Sequence, residues 1–267
     1  MSLRSLSNLE TFHPGTGPSF EASLLHVKQP RLVERAETAQ NFTIWDVGLG
    51  AAANAITAIE ALKHLITPIE IHSFDKTVSP LEFATLHAES LGYLQDHQAL
   101  VSELLKNHLV HVTPSLTWHL HLGDFSYVIS TKSLPSPDAI FFDPYSPKSN
   151  LEMWQLDLFK MLYSKLDPKK PCLLTNYTRS TAVRVTLLLA GFYVGAGCDV
   201  GEKAETTVAS NDASLISKPL PREWLDRVKV SRNAAPFRKN IYEDTKISDE
   251  DFADLLNCYQ FRLQYRA

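Results

Sequence analysis
A few short stretches of this 267-residue chain have the residue types and order to do chemistry on a bound ligand. In "IFFDPYSPKSNLEMW", Ile140 to Trp154, an apolar run delivers Asp143 straight into Pro144, Tyr145, Ser146 and Pro147. Prolines restrict the loop, so its carboxylate and carbonyl oxygens are set before a substrate arrives. With Pro144, Tyr145 and Trp154 around it, Asp143 is a candidate for contact with a substrate. The plainer alternative is that Asp143 caps a turn and Tyr145 packs in the core. In "DVGLGAAAN", Asp46 to Asn54, glycines follow one apolar run and precede a helical one. There Gly48 and Gly50 let a ligand approach backbone N–H groups at the positive end of a helix. "HSFD" supplies an acid, Asp75, suited to ribose hydroxyls, and "LGDF" pairs the polar Asp124 with the apolar Phe125. The glycines also fit simple helix packing, and Asp124 also fits a helix N-cap.

Elements that would hold these residues are read from periodicity. From about Phe42, short apolar runs alternate with helical ones: "FTIWDVG", Ala51 to Ile66, "IEIHSF", Pro80 to Leu91, "LTWHLHLGD", "DAIFFD", Leu151 to Leu166, "PCLLTNY" and Thr178 to Ala190. That alternation predicts an α/β fold, Rossmann-like, with a mostly parallel sheet and helices on both faces. "GFYVGAGCDVG" and "ETTVAS" then follow as neighbouring strands, predicting a terminal antiparallel hairpin. The expected organisation is an N-terminal cap and loop over 1–41, the main domain over 42–217, and a basic C-terminal extension over 218–267. Asp143 then falls at the carboxyl end of a strand, where open α/β sheets bind ligands.

The glycine turn fits two cofactors. As Gly-x-Gly-x-x-Ala with an acid about 20 residues on, it satisfies the dinucleotide fingerprint, so an NAD(P)- or flavin-nucleotide-dependent oxidoreductase is a competing reading. S-adenosyl-L-methionine sites use the same turn and ribose-binding acid. Asp124 and Phe125, a polar group and an apolar cover for an adenine, favour the latter. On that reading Asp46, Gly48, Gly50, Asn54, Asp75, Asp124 and Phe125 bind the cofactor. A catalytically silent protein retaining the fold is the third possibility.

In amine-modifying methyltransferases the loop after the fourth strand reads Asp/Asn-Pro-Pro-Tyr/Phe, its oxygens holding the amine hydrogens so that the lone pair is aimed and its aromatic ring packing on a planar base. "DPYSP" is similar but lacks the second consecutive proline, and the similarity implies those roles for Asp143 and Tyr145. "FFDPYSPKSNLEMW", "WDVGLGAAAN", "SFDK", "LGDF" and "LLTNYTRSTAVRVTLLLAGFYVG" together resemble the MnmC-type methyltransferases, over about Glu21 to Ser210. The resemblance implies a class I fold and methyl transfer from S-adenosyl-L-methionine to a 5-aminomethyl-uridine at the tRNA wobble position. It implies cofactor binding by Gly48, Gly50 and Asp75, adenine contact by Asp124, and a catalytic loop at Asp143 and Tyr145. It departs from the family at Ala51 and Ala52, where members often carry Thr-Gly. The fused flavin-dependent half of some members is absent from this sequence, so a stand-alone methyltransferase form is expected. A methyltransferase acting on another amine is the nearer alternative.

The remaining features carry less. "PREWLDRVKVSRNAAPFRKN", Pro221 to Asn240, interleaves Trp224 and Phe237 with Arg222, Arg227, Lys229, Arg232, Arg238 and Lys239. It suits phosphate contacts with some base stacking, Arg227, Lys229 and Arg232 meeting a tRNA anticodon arm; packing of Trp224 on the domain is as good a reading. With a net charge of −4, any attraction for RNA must be local. His119 and His121 share a strand face without a third ligand at recognisable spacing, so no metal is expected. The odd, scattered Cys172, Cys198 and Cys258 suggest reduced thiols, with Cys172 in the core. No signal segment and no apolar run of about 20 residues is visible, so no membrane partner and a cytoplasmic location are expected.

Overall fold
The structure, a computed structural model, describes residues 17–199, 205–238 and 242–262. Its contacts divide the chain into one unit of Met1–Pro144 with Cys198–Ala204 and another of Tyr145–Gly197 with Glu205–Ala267.

The first unit contains β1 (Phe42–Val47), β2 (Ile69–Asp75), β3 (Leu109–Thr113), β4 (Leu116–Leu122) and β5 (Ala139–Phe142), in the order β3-β4-β2-β1-β5. β1 pairs parallel with β2 and with β5, and β2 with β4, so the carboxyl ends of these strands share one edge. Every residue of β1 is buried, as expected of a strand covered on both faces. Helices α1 (Pro18–Ala22), α2 (Leu32–Glu37), α3 (Ala53–Leu62), α4 (Ser79–Leu86), α5 (Ala88–Leu91), α6 (Gln98–Asn107) and α7 (Phe125–Thr131) complete the unit. Ile44, Ile71 and Trp118 cluster with Ile59 and Leu62 of α3 and Leu104 of α6. On the other face Trp45 and Phe74 meet Phe125 of α7 edge-on. Helices therefore cover both faces, since successive strand residues point to opposite sides.

The expected α/β architecture is present, and the structure adds to it. The helix expected over Pro80 to Leu91 breaks at His87 into α4 and α5. "LVHVT" forms the antiparallel edge strand β3, joined to β4 by a short turn at Pro114 and Ser115. The alternation of Val110 and Val112 is the signal that could have found that strand, which is not among the expected ones.

The second unit contains β6 (Leu173–Asn176), β7 (Tyr193–Ala196) and β8 (Thr207–Ser210), all antiparallel in the order β6-β8-β7. The expected hairpin is β7–β8, with its second strand set between β6 and β7. Its helices are α8 (Leu156–Ser164), α9 (Thr181–Leu189), α10 (Trp224–Val230), α11 (Asp249–Leu256) and α12 (Tyr259–Arg262). Ser180 and Ser248 cap α9 and α11 by accepting from Val183 and Asp251 amides. Residues after Lys218 are woven into this unit. Gln260 accepts from the Val194 amide at 2.7 Å and donates to the Val194 and Leu220 carbonyls. Among the described residues no helix is long and apolar enough to cross a membrane.

Candidate active site
The glycine turn leaves β1 at Val47 and enters α3, and its geometry requires glycine at one point above all. Gly48 has φ of 91°, and a Cβ there would lie 2.7 Å from the Asp143 carbonyl oxygen and 3.0 Å from Pro144 Cα. The turn and the "DP" that follows β5 are thus in backbone contact. Gly48→Ala therefore meets both an unfavourable φ and a clash, about 1–3 kcal/mol of strain. It should raise the cofactor Kd at least tenfold by calorimetry, and an unchanged Kd would show that turn and loop separate at no cost.

Asp46, Asp75 and Asp143 converge on this turn. Asp46 is fully buried and accepts from Ser73 Oγ at 2.7 Å, and Ser73 Oγ in turn accepts from Trp118 Nε1 at 2.8 Å. Burial pushes the Asp46 carboxyl up to about 7; the Ser73 hydrogen bond opposes this, and the charges of Asp143 and Asp75 add to it. Asp46 Oδ1 is buried without a hydrogen-bond partner, as is Asn54 Oδ1. Asp75 accepts from the Gly50 amide at 2.9 Å and from the Thr77 amide at 3.2 Å. Burial raises its pKa, offset in part by the Gly50, Thr77 and Lys76 amides. Asn54, in the first turn of α3, donates to Asp143 Oδ2 at 2.8 Å, tying the loop carboxylate to the helix. The Asp143 amide donates to the Val47 carbonyl at 2.9 Å.

"LGDF" lies at the end of β4, beside β2. The Gly123 amide donates to the Asp75 carbonyl at 3.0 Å. Asp124 caps α7, accepting from the Tyr127 amide at 3.2 Å and from Ser126 Oγ, and meets Lys76 Nζ at 3.3 Å. The Ser126 hydrogen bond leads the causes that lower its pKa. Its capping role is therefore realised, with Oδ2 facing Lys76. Phe125 is buried against Trp45 and Phe74.

In the second unit, Tyr145 is half-buried, and its carbonyl accepts from Trp154 Nε1 at 2.9 Å. Trp154 has no exposed surface and meets Phe159 and Tyr177 edge-on. It sits beneath the loop and pins it. Arg227, Lys229 and Arg232 are exposed, with Lys229 Nζ 5.1 Å over the Phe252 ring. Trp224 and Phe237 are buried, which corrects the base-stacking expectation: apolar area decides their place, and the Phe237 carbonyl accepts from the Leu156 amide at 2.8 Å. Lys239 and Asn240 lie outside the described residues.

Sequence reasoning missed Ser73, Trp118 and Tyr93. Tyr93 donates to the Ala51 carbonyl at 2.8 Å and so supports the glycine turn from outside. A hydroxyl two residues before the strand-end acid was the one signal, and it is too common to read.

The donor set discriminates between cofactors. Three carboxylates around the turn, with a buried unpartnered oxygen on Asp46, suit a ligand bearing cationic sulfonium and ammonium groups and a ribose diol. They repel the pyrophosphate of a dinucleotide, which would meet the same amides. Asp75→Ala should weaken S-adenosyl-L-methionine binding by about 1.5–3 kcal/mol, the range for a hydrogen bond to a charged group. Because Asp75 also holds the Gly50 amide, Asp75→Asn should recover little of it; unchanged affinity in both variants would remove Asp75 from the site.

The comparisons agree. A family model described as S-adenosyl-L-methionine-dependent methyltransferase matches residues 91–212, beginning after the glycine turn. A Leptospira interrogans (strain Fiocruz L1-130) protein named "tRNA 5-methylaminomethyl-2-thiouridine biosynthesis bifunctional protein MnmC" is 26% identical over 197 residues, 70% of this chain and 30% of that protein. The protein of the same name from Leptospira borgpetersenii (strain JB197) is 30% identical over 210 residues, 72% of this chain and 31% of that one. This chain thus spans about 30% of the length of these relatives. The crystal structure of MnmC2 from Aquifex aeolicus superposes with a TM-score of 0.70 at 26% identity, covering 97% of this chain and 82% of that one. The oxidoreductase alternative is not favoured.

Proposed function
We propose that this chain, an S-adenosyl-L-methionine-dependent methyltransferase of the MnmC type, methylates the primary amine of a 5-aminomethyl-uridine at the tRNA wobble position, giving 5-methylaminomethyl-uridine. The observation that carries this reading is Asp143: its carboxylate is tethered by Asn54 at the glycine turn, and the chain passes directly from it into Pro144 and Tyr145. When bound, the cofactor supplies an electrophilic methyl group on a sulfonium. Methyl transfer is then an in-line displacement, in which alignment supplies most of the gain, up to about 7–11 kcal/mol in ideal cases. Asp143 accepts a hydrogen of the amine and aims its lone pair; with one oxygen already accepting from Asn54, the group acts as an oriented acceptor more than as a strong base. Tyr145, its backbone pinned by Trp154, offers its ring to the uracil plane.

For the RNA, we assign the exposed Arg227, Lys229 and Arg232 to phosphates of the anticodon arm, in the cytoplasm where tRNA is found. Neutralising all three should reduce the salt slope of tRNA binding by about 2–3, at roughly 0.7–0.9 per phosphate contact. Cofactor affinity should not change. A slope identical to wild type discards this surface and leaves the substrate standing.

The substrate is tested by nucleoside mass spectrometry. Incubation of aminomethyl-uridine tRNA with the protein and S-adenosyl-L-methionine should add one methyl to that nucleoside. Methylation of a protein or small-molecule amine, with none on that tRNA, would defeat the assignment in favour of another acceptor.

A further inference from the structure
β2 and β4 place a second chemistry-bearing cluster away from the glycine turn. His72 and His119 are paired in register across the parallel ladder, and Glu70 lies two residues before His72 on the same strand face. The His72 and His119 rings stack at 4.5 Å, and one ligand atom each from Glu70, His72 and His119 lie within 4.8 Å of one another. We propose that Glu70, His72 and His119 form a binding site for a divalent transition-metal ion of the zinc class. Nothing in the methyltransferase reading requires it, and it corrects the expectation that His119 lacks partners: the missing ligands are on the neighbouring strand, which spacing along one strand does not reveal.

Several observations support the site. Two imidazoles and one carboxylate are the donor set of borderline-soft zinc with an open fourth position. His119 Nε2 is buried and has no hydrogen-bond partner, a state that costs about 1–3 kcal/mol for an ordinary polar group. His72 carries the partner that metal-bound histidines use: its Nδ1 lies 2.9 Å from His121 Nε2, which can accept the Nδ1 proton and leave Nε2 free for the ion. Glu70 is about half exposed and opens the site to solvent, giving an entry path and room for a water as fourth ligand.

The same atoms close a hydrogen-bond chain when no ion is bound. Lys132 Nζ reaches His121 Nδ1 at 3.3 Å, His121 Nε2–H donates to His72 Nδ1, and His72 Nε2–H donates to Glu70 Oε2 at 3.0 Å. This chain satisfies every member except His119. Ion entry moves the His72 proton from Nε2 to Nδ1 and the His121 proton from Nε2 to Nδ1, displacing the exposed Lys132. A tetrahedral zinc site sets ligand atoms about 3.3 Å apart from bonds of about 2.0 Å, so the half-exposed Glu70 side chain closes in by rotation.

Cobalt(II), a spectroscopic stand-in for zinc, tests this on the full chain after chelator treatment. One equivalent should bind with the strong visible d–d bands of a four-coordinate site, and excess zinc should abolish them. Glu70→Gln, at a half-exposed position safe for folding, should weaken cobalt binding at least tenfold, as should His119→Asn, with cofactor affinity unchanged. Zinc should raise the Tm of wild type and not of Glu70→Gln. No saturable cobalt binding overturns the proposal. So does binding equal in wild type and Glu70→Gln, or a sulfur-to-cobalt charge-transfer band, either of which would assign the ion to other groups such as the cysteines.

Discussion
Asp143→Ala should lower single-turnover methyl transfer by roughly 10²- to 10⁴-fold, the span of positioned acid–base and orienting groups, and leave S-adenosyl-L-methionine affinity within a few-fold. The expectation follows from where the carboxylate sits. Its backbone is fixed by the Val47 carbonyl and its Oδ2 by Asn54, so its place does not depend on the cofactor. A group held before the substrate arrives contributes mainly in the reactive geometry, which lowers kcat and kcat/KM together. Asp143→Asn separates orientation from proton removal, because an amide oxygen still accepts a hydrogen bond but does not act as a base. Partial activity in Asn and little in Ala is expected; equal loss in both would make proton transfer the dominant role. Asn54→Ala should fall between them, raising the loss through a mobile Asp143. If cofactor affinity and turnover drop in parallel in Asp143→Ala, the loop serves cofactor binding instead.

The strand-end positions were legible in the sequence because parallel strands announce themselves: the apolar runs of β1, β2, β4 and β5 lead into the residue types expected to bind, Gly48, Asp75, Asp124 and Asp143. The sequence could not say how they bond to each other. Asp75 holds the Gly50 amide and Asn54 holds Asp143 across chain separations of 25 and 89 residues, and those contacts exist only once the parallel register is set. Other signals misled by their ambiguity. Trp224 and Phe237, interleaved with cations, suit RNA stacking and core packing equally, and burial decided for packing. The histidines of β4 looked isolated because their partners, Glu70 and His72, are contributed by β2.

Cofactor binding by the apo-protein should strengthen as pH rises from about 5 to 7 and level off above, with Asp46 as the titrating group. Burial has pushed its carboxyl up to about 7, so in the free protein it is protonated in mildly acidic solution. A cationic ligand group meeting the unpartnered Oδ1 favours the ionised form, so below pH 7 binding must first expel a proton. Each pH unit then costs close to tenfold, about 1.4 kcal/mol. Stability of the apo-protein runs the other way. A carboxyl whose folded pKa lies above its unfolded value of 3.8 binds more protons folded than unfolded between about pH 4 and 7. Its stabilisation is therefore complete below pH 4 and lost as pH climbs through 7. Asp46→Asn, which keeps a neutral acceptor for Ser73, should remove both effects: the Tm of the apo-protein should stop falling across that window, and cofactor affinity should become weak and insensitive to pH. Calorimetric titrations at pH 5, 6, 7 and 8 on wild type and Asp46→Asn would decide it. A wild-type affinity that is flat over this range would mean that the cofactor leaves Asp46 protonated and that its cationic groups are not met by this carboxylate.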